Sequence, residues 1–210
     1  MHGVTQVVVF IAFVVSLIKY NQYKNTTYKY FCYLLGVTLI TEITAYLFGF
    51  YFLIYNVVVY NIFIPIVNLF YYWFYKKLFK SKRNQKLMNV FSSIFIAVYL
   101  YEIVVLKSSI FKDNFTMSLI IGAILTVITL ILYLIEIVHN EKIMGDVYKH
   151  LVFWITIGSL LFYVGIIPIF INAAFLEYRS IYTYIISALN IIMYGSFIIG
   201  YFVSDPNSKI

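Results

Sequence analysis

Residues 30 to 75 carry a single charged side chain, Glu42. As helix, at about 1.5 Å per residue, that stretch would be roughly 70 Å long, whereas the hydrocarbon core of a bilayer is about 30 Å thick. It therefore reads as two membrane crossings joined by an uncharged turn. Glu42 falls in the first crossing, where a carboxylate near mid-bilayer costs about 2.5–3.5 kcal/mol. The rest of the chain agrees: 11% of residues are charged and 63% are apolar, against about a quarter charged in soluble domains. A soluble globular fold is excluded on that ground, and the 210 residues read as one membrane domain, 1–210.

Apolar runs between charged breaks predict an all-α bundle of seven transmembrane helices, near residues 3–19, 30–49, 56–75, 87–106, 115–138, 151–173 and 181–203. The first run has no basic leader and no small-residue cleavage site, so it reads as a retained helix. Gly49 and Asn56 place the uncharged turn around Tyr51 to Tyr55. Alternate loops then hold lysine and arginine very unequally. Lys19, Lys24, Lys29, Lys76, Lys77, Lys80, Lys82, Arg83, Lys86, Lys142, Lys149 and Lys209 fall at one end, and Lys107, Lys112 and Arg179 at the other. Short basic loops stay cytoplasmic, so the expected orientation is N-terminus outside and C-terminus inside, in a multi-pass protein of the cell membrane. The net charge of +7 follows from that asymmetry and does not imply nucleic acid. The expected partners are the bilayer itself and, at the Lys76 to Lys86 loop, an anionic lipid or a cytoplasmic protein.

Polar residues inside the spans mark the candidate site. In the second span Thr38, Glu42, Ala45 and Gly49 share a stripe, with Thr41 beside it. The third carries Asn61, Pro65, Asn68 and Tyr72, and Pro65 withholds a backbone donor and so frees a carbonyl for a neighbour. The sixth carries Gly158, Gly165, Pro168 and Asn172, and the seventh Ser187, Asn190, Tyr194 and Tyr201. These four stripes are expected to face one another. Small residues allow close helix approach, and polar groups should face protein or water rather than lipid. With Glu102 near the outer end of the fourth span, the ligand-binding set is Glu42, Thr38, Thr41, Asn61, Asn68, Glu102, Asn172, Asn190 and Tyr194, around a polar pocket open to the outside. Tyrosines gathered at span ends, among them Tyr20, Tyr23, Tyr28, Tyr30, Tyr60, Tyr99, Tyr101 and Tyr184, read as an aromatic belt.

Catalytic and cofactor signatures are absent. There is no phosphate loop, no H-E-x-x-H, no G-x-S-x-G and no CxxC, and His139 and His150 are spaced poorly for a metal. Cys32 is the one cysteine. Seven helices suggest rhodopsins, but the last span, 181–203, holds no lysine, which excludes a retinal Schiff base there; no cofactor is expected. TEITAYLFGF, NLFYYWFYKKLFKSK, FWITIGSLLFYVG and ALNIIMYGSFIIGYF give the chain a likeness to other membrane proteins. It resembles the small seven-span proteins of Bacteroidetes, which are themselves similar to the sensory modules that precede bacterial kinases; no output domain is expected after Ile210. That resemblance implies a sensory role and brings no ligand or reaction. Three readings follow: a receptor-like or ligand-binding protein, preferred here; a small-molecule or ion transporter; and an intramembrane lipid-modifying enzyme using Glu42 and Glu102 as acid and base.

The orientation is testable by cysteine accessibility. A membrane-impermeant maleimide added to intact cells should label Lys107→Cys, and should label Lys82→Cys only after permeabilisation.

Overall fold

A computed structural model describes residues 2–50, 56–139, 146–172 and 179–205, with side chains described for 4–49, 56–139, 146–171 and 183–205. The predicted turn at Tyr51 to Tyr55 lies outside them. The helices are α1 (His2–Ile18), the single turn α2 (Tyr20–Tyr23), α3 (Lys29–Phe50), α4 (Val57–Leu78), α5 (Lys82–Val104), α6 (Thr116–Val138), α7 (Leu151–Asn172) and α8 (Arg179–Val203). A 3₁₀ turn, Val147–Lys149, precedes α7, and no strand occurs among the described residues. Six helices are long and apolar enough to cross a membrane, and Val4–Ile18 is a shorter apolar one. The largest departure from the expected bounds is at α5, which begins five residues before the expected 87. Hydropathy discounts Lys82, Arg83 and Lys86, whereas the helix starts where Ser81 accepts a hydrogen bond from the Asn84 amide as its N-cap.

Successive long helices run antiparallel. Tyr23 meets Ser204, Glu136 meets Lys80, and Asp205 N–H donates to the Lys149 carbonyl, so these segments share one end, the basic one. Asn61 meets the Ile110 carbonyl and Ser118 meets Glu102, so these segments share the opposite end. α1 lies between α3 and α8, and α6 packs on α7. α5 packs on α4 and α6 and keeps a wide apolar face outward, including Val90, Ile94, Ile96, Leu100 and Val104.

α4 is the hub. It packs against α3, α5 and α6, and tyrosine hydroxyls tie it to α7 through Tyr71–Ser159 (2.7 Å) and Tyr75–Thr156 (2.8 Å). Thr156 gives its own proton to the Val152 carbonyl at 2.6 Å, so the Tyr75 phenol is the donor in its pair. Around these bonds sits an aromatic core: Phe31 packs on Phe197 at 5.0 Å between ring centres, Phe70 stacks on Phe74 at 5.5 Å, and Tyr75 meets Tyr133 edge-on at 5.1 Å. Most of the largest fully buried side chains, including Phe31, Tyr72, Phe74, Tyr75, Leu130 and Tyr133, lie in the basic half. That half is solidly filled.

α7 and α8 approach most closely through glycine. A Cβ at Gly158 would stand 2.9 Å from the Met193 carbonyl oxygen, and one at Gly200 would stand 2.7 Å from the Trp154 Cβ. Gly165 meets only the tip of Leu189, and Gly49 and Gly195 face open space. Because lipid is as apolar as a helix face, association within a membrane depends on such close packing. Gly158→Ala should therefore cost about 1–3 kcal/mol as backbone is pushed aside. Gly195→Ala should be neutral or stabilising by up to about 1 kcal/mol through helix propensity. Thermal denaturation of the two purified variants checks the contrast.

Candidate functional site

Glu42 is half-buried on α3, and its backbone carbonyl accepts a hydrogen bond from Gln6 Nε2 of α1 at 3.4 Å. The Tyr60 hydroxyl of α4 lies beside its carboxyl group. Tyr194 of α8 is close enough for both Glu42 and Tyr60 to act on it electrostatically. Among the described residues Glu42 forms no ion pair. Its neighbourhood is thus built from four helices, α1, α3, α4 and α8, with one carboxyl group and two phenols. Asn190, Nδ2 bonded to the Ile186 carbonyl at 2.9 Å, lies one turn before Tyr194 on α8.

The other predicted residues divide. Thr38 and Thr41 are buried beside Glu42, and their hydroxyls donate to the carbonyls four residues back, Leu34 and Val37, at 2.9 Å each. Asn172 closes α7, and its side chain lies outside the described residues. Asn61, Asn68 and Tyr72 turn away from α3. α4 has neighbours on every side, so a stripe that is continuous in sequence points at α5 and α6, while Tyr60, Tyr71 and Tyr75 project toward Glu42 and α7. The four polar stripes do not all converge: α3, α7 and α8 share their side with the tyrosine face of α4, not with its asparagines.

Asn61 acts as a staple for the loop between α5 and α6. Its Nδ2 donates to the carbonyls of Ile110 (2.9 Å) and Asp113 (2.8 Å), and its Oδ1 accepts from Phe115 N–H (3.3 Å). Its own backbone carbonyl is the one Pro65 leaves without a partner, and the Tyr99 hydroxyl fills it at 3.2 Å. Asn68 donates to the Ile64 carbonyl and accepts from Thr126 at 3.1 Å, and a Cβ at Gly122 would come within 2.8 Å of its Oδ1. Tyr72 donates to the Gly122 carbonyl at 3.1 Å. These groups join α4 to α6.

Glu102 is buried with its carboxylate on the first turn of α6, accepting from Met117 N–H (3.0 Å), Ser118 N–H (2.9 Å) and the Ser118 hydroxyl. Glu136, near the end of α6, clasps the turn before α5. It accepts from Lys80 and Ser81 N–H and from Asn84 Nδ2 at 2.8 Å. The end of α5 thus places a carboxylate on unpaired N–H groups that open α6, where the helix dipole also favours negative charge, and the end of α6 places one on the turn that leads into α5. Glu42 and Glu102 share no partner. Sequence reasoning missed this reciprocal clasp because its partners are backbone amides. Tyr60, read as belt, is exposed as a belt residue would be, and its hydroxyl also lies beside Glu42. Among the described residues no cluster of three metal-ligating side chains occurs.

The architecture defines a polytopic helical membrane protein. No protein-family model, curated protein or solved structure matches the chain.

Replacing Glu102 by Gln removes the charge and one acceptor from buried amides and should destabilise by about 1–3 kcal/mol. Glu136→Gln should cost less, because the Lys80 bond it weakens is exposed to solvent. The two sites lie a helix length apart, so the double variant should be additive within about 0.5 kcal/mol, as read by thermal melts in detergent.

Proposed function

We propose that the chain is a receptor-like membrane protein of seven crossings in the cell membrane, with its N-terminus outside and a ligand site in the outer half around Glu42. The observation that carries this reading is the setting of Glu42: a carboxyl group at membrane depth, without a cation, flanked by phenols from two other helices. Such a group is costly to keep and is a functional candidate by default. Tyr60, Tyr194, Asn190, Thr38 and Thr41 complete the set. A ligand bringing hydrogen-bond donors or a positive charge would match the carboxyl group, and the phenol rings would cover its apolar parts. Asn61, Asn68 and Glu102 support the frame of this site, because their polar atoms are engaged with α6 and its preceding loop.

The filled basic half favours sensing over passage. Beneath the level of Glu42, Tyr71, Tyr75, Phe74 and Tyr133 are packed without exposure beyond a few per cent. Transport is the second reading, favoured by one observation: the hydroxyl pairs Tyr71–Ser159 and Tyr75–Thr156 lie in succession between Glu42 and the basic end. Flux of a bound compound into proteoliposomes would decide for transport.

A thermal-shift screen of small cations and polar compounds should give at least one stabilising ligand. Saturation at a hundred times Kd corresponds to about 2.7 kcal/mol. Glu42→Gln should weaken that ligand at least about tenfold, equivalent to about 1.4 kcal/mol, and Tyr60→Phe should weaken it less. Full retention of the shift in Glu42→Gln would refute the site.

A further inference from the structure

We propose that the turn joining α4 to α5 is a platform for the headgroups of anionic phospholipids. Lys77, Lys80, Lys82, Arg83 and Lys86 are exposed, Lys76 is half-buried, and among the described residues none of the six forms an ion pair. The carboxylate placed to neutralise them, Glu136, is turned to other work: its oxygens accept from the amides of Lys80 and Ser81 and from Asn84. Those bonds, with Gln85 Nε2 donating to the Phe79 carbonyl at 2.7 Å and the Ser81 cap, fix the turn. The cations are therefore displayed on ordered backbone rather than on a floppy loop.

Their position runs against the needs of their own helix. Lys82, Arg83 and Lys86 occupy the opening turns of α5, where the helix dipole disfavours positive charge. A phosphate outside the turn would be attracted by the dipole and by the side chains together. The surroundings are those of a membrane surface. Trp73, partly exposed, lies one turn before Lys77, whose Nζ stands 5.3 Å from the indole ring, and Phe79 is buried beneath the turn. A lipid headgroup fits this combination of depth and charge better than a soluble acidic protein, which would have to reach cations lying at the level of a tryptophan in the bilayer interface.

Both tryptophans of the chain, Trp73 and Trp154, lie near the basic end, so the fluorescence of the unmodified protein reports on lipid there. The protein is reconstituted in vesicles of phosphatidylcholine containing either brominated phosphatidylglycerol or brominated phosphatidylcholine, and quenching is compared at equal mole fraction. The expected result is a relative association of the anionic lipid about fivefold or more above the zwitterionic one, the factor a single engaged cation supplies. The preference should fall as salt rises and be lost in the variant carrying Lys80→Gln, Lys82→Gln, Arg83→Gln and Lys86→Gln. The salt titration on the wild-type protein stands if the variant does not fold. Equal quenching by the two lipids, or a preference indifferent to salt, overturns the proposal. A preference retained in the folded variant overturns the assignment to these residues.

Discussion

Hydrogen bonds carried by tyrosine hold this bundle together. In lipid there is little hydrophobic gain from pressing two apolar helices together, so cohesion rests on close packing and on polar groups that find each other across the gap. A phenol suits that task, with a ring apolar enough for the interior and a hydroxyl long enough to reach the next helix. Tyr71 and Tyr75 bind α4 to α7, Tyr72 binds it to α6, Tyr99 binds α5 to the carbonyl freed by Pro65, and Tyr23 binds the basic end to Ser204. α4 becomes central because it supplies three of these bonds from one five-residue stretch. Its remaining face is what leaves Tyr60 free to approach Glu42.

The same economy explains the two ends of the molecule. Amides at a helix start and in the turn before one need acceptors, and α6 and the α4–α5 turn receive them from Glu102 and Glu136. A carboxylate with three donors on it is a settled group. Glu42, by contrast, has a phenol for company and no cation, which is why it and not Glu102 carries the functional reading.

The long helices were legible in the sequence because hydropathy is a one-dimensional property: a span needs about twenty apolar residues in a row wherever it packs. The glycine at 158 and the carbonyl exposed by Pro65 were legible too, since each follows from one residue's covalent shape. What packs against what was not. Asn61 was read as a ligand group because it lies in a span, yet its partners are carbonyls at 110 and 113 that only the folded loop brings near. Tyr99 and Tyr23 were read as interfacial anchors from their places near span ends, yet they bond the Asn61 carbonyl and Ser204. Whether a tyrosine at that depth points to lipid or to a neighbour depends on helix rotation, which a single chain of letters does not specify. Tyr101 and Tyr184, which do face outward, look no different in sequence.

The exchange of carboxylates between α5 and α6 bears on how such a chain is made. Synthesis delivers Glu102 before Met117 and Ser118 exist, so for the time it takes to add those residues the carboxylate has none of its final donors. Glu136 arrives last, to amides at 80 and 81 that have been waiting since α5 began. Neither helix can close its polar account while it is alone in the bilayer. The natural unit of insertion is therefore the pair, entering as a hairpin whose two ends are sealed together.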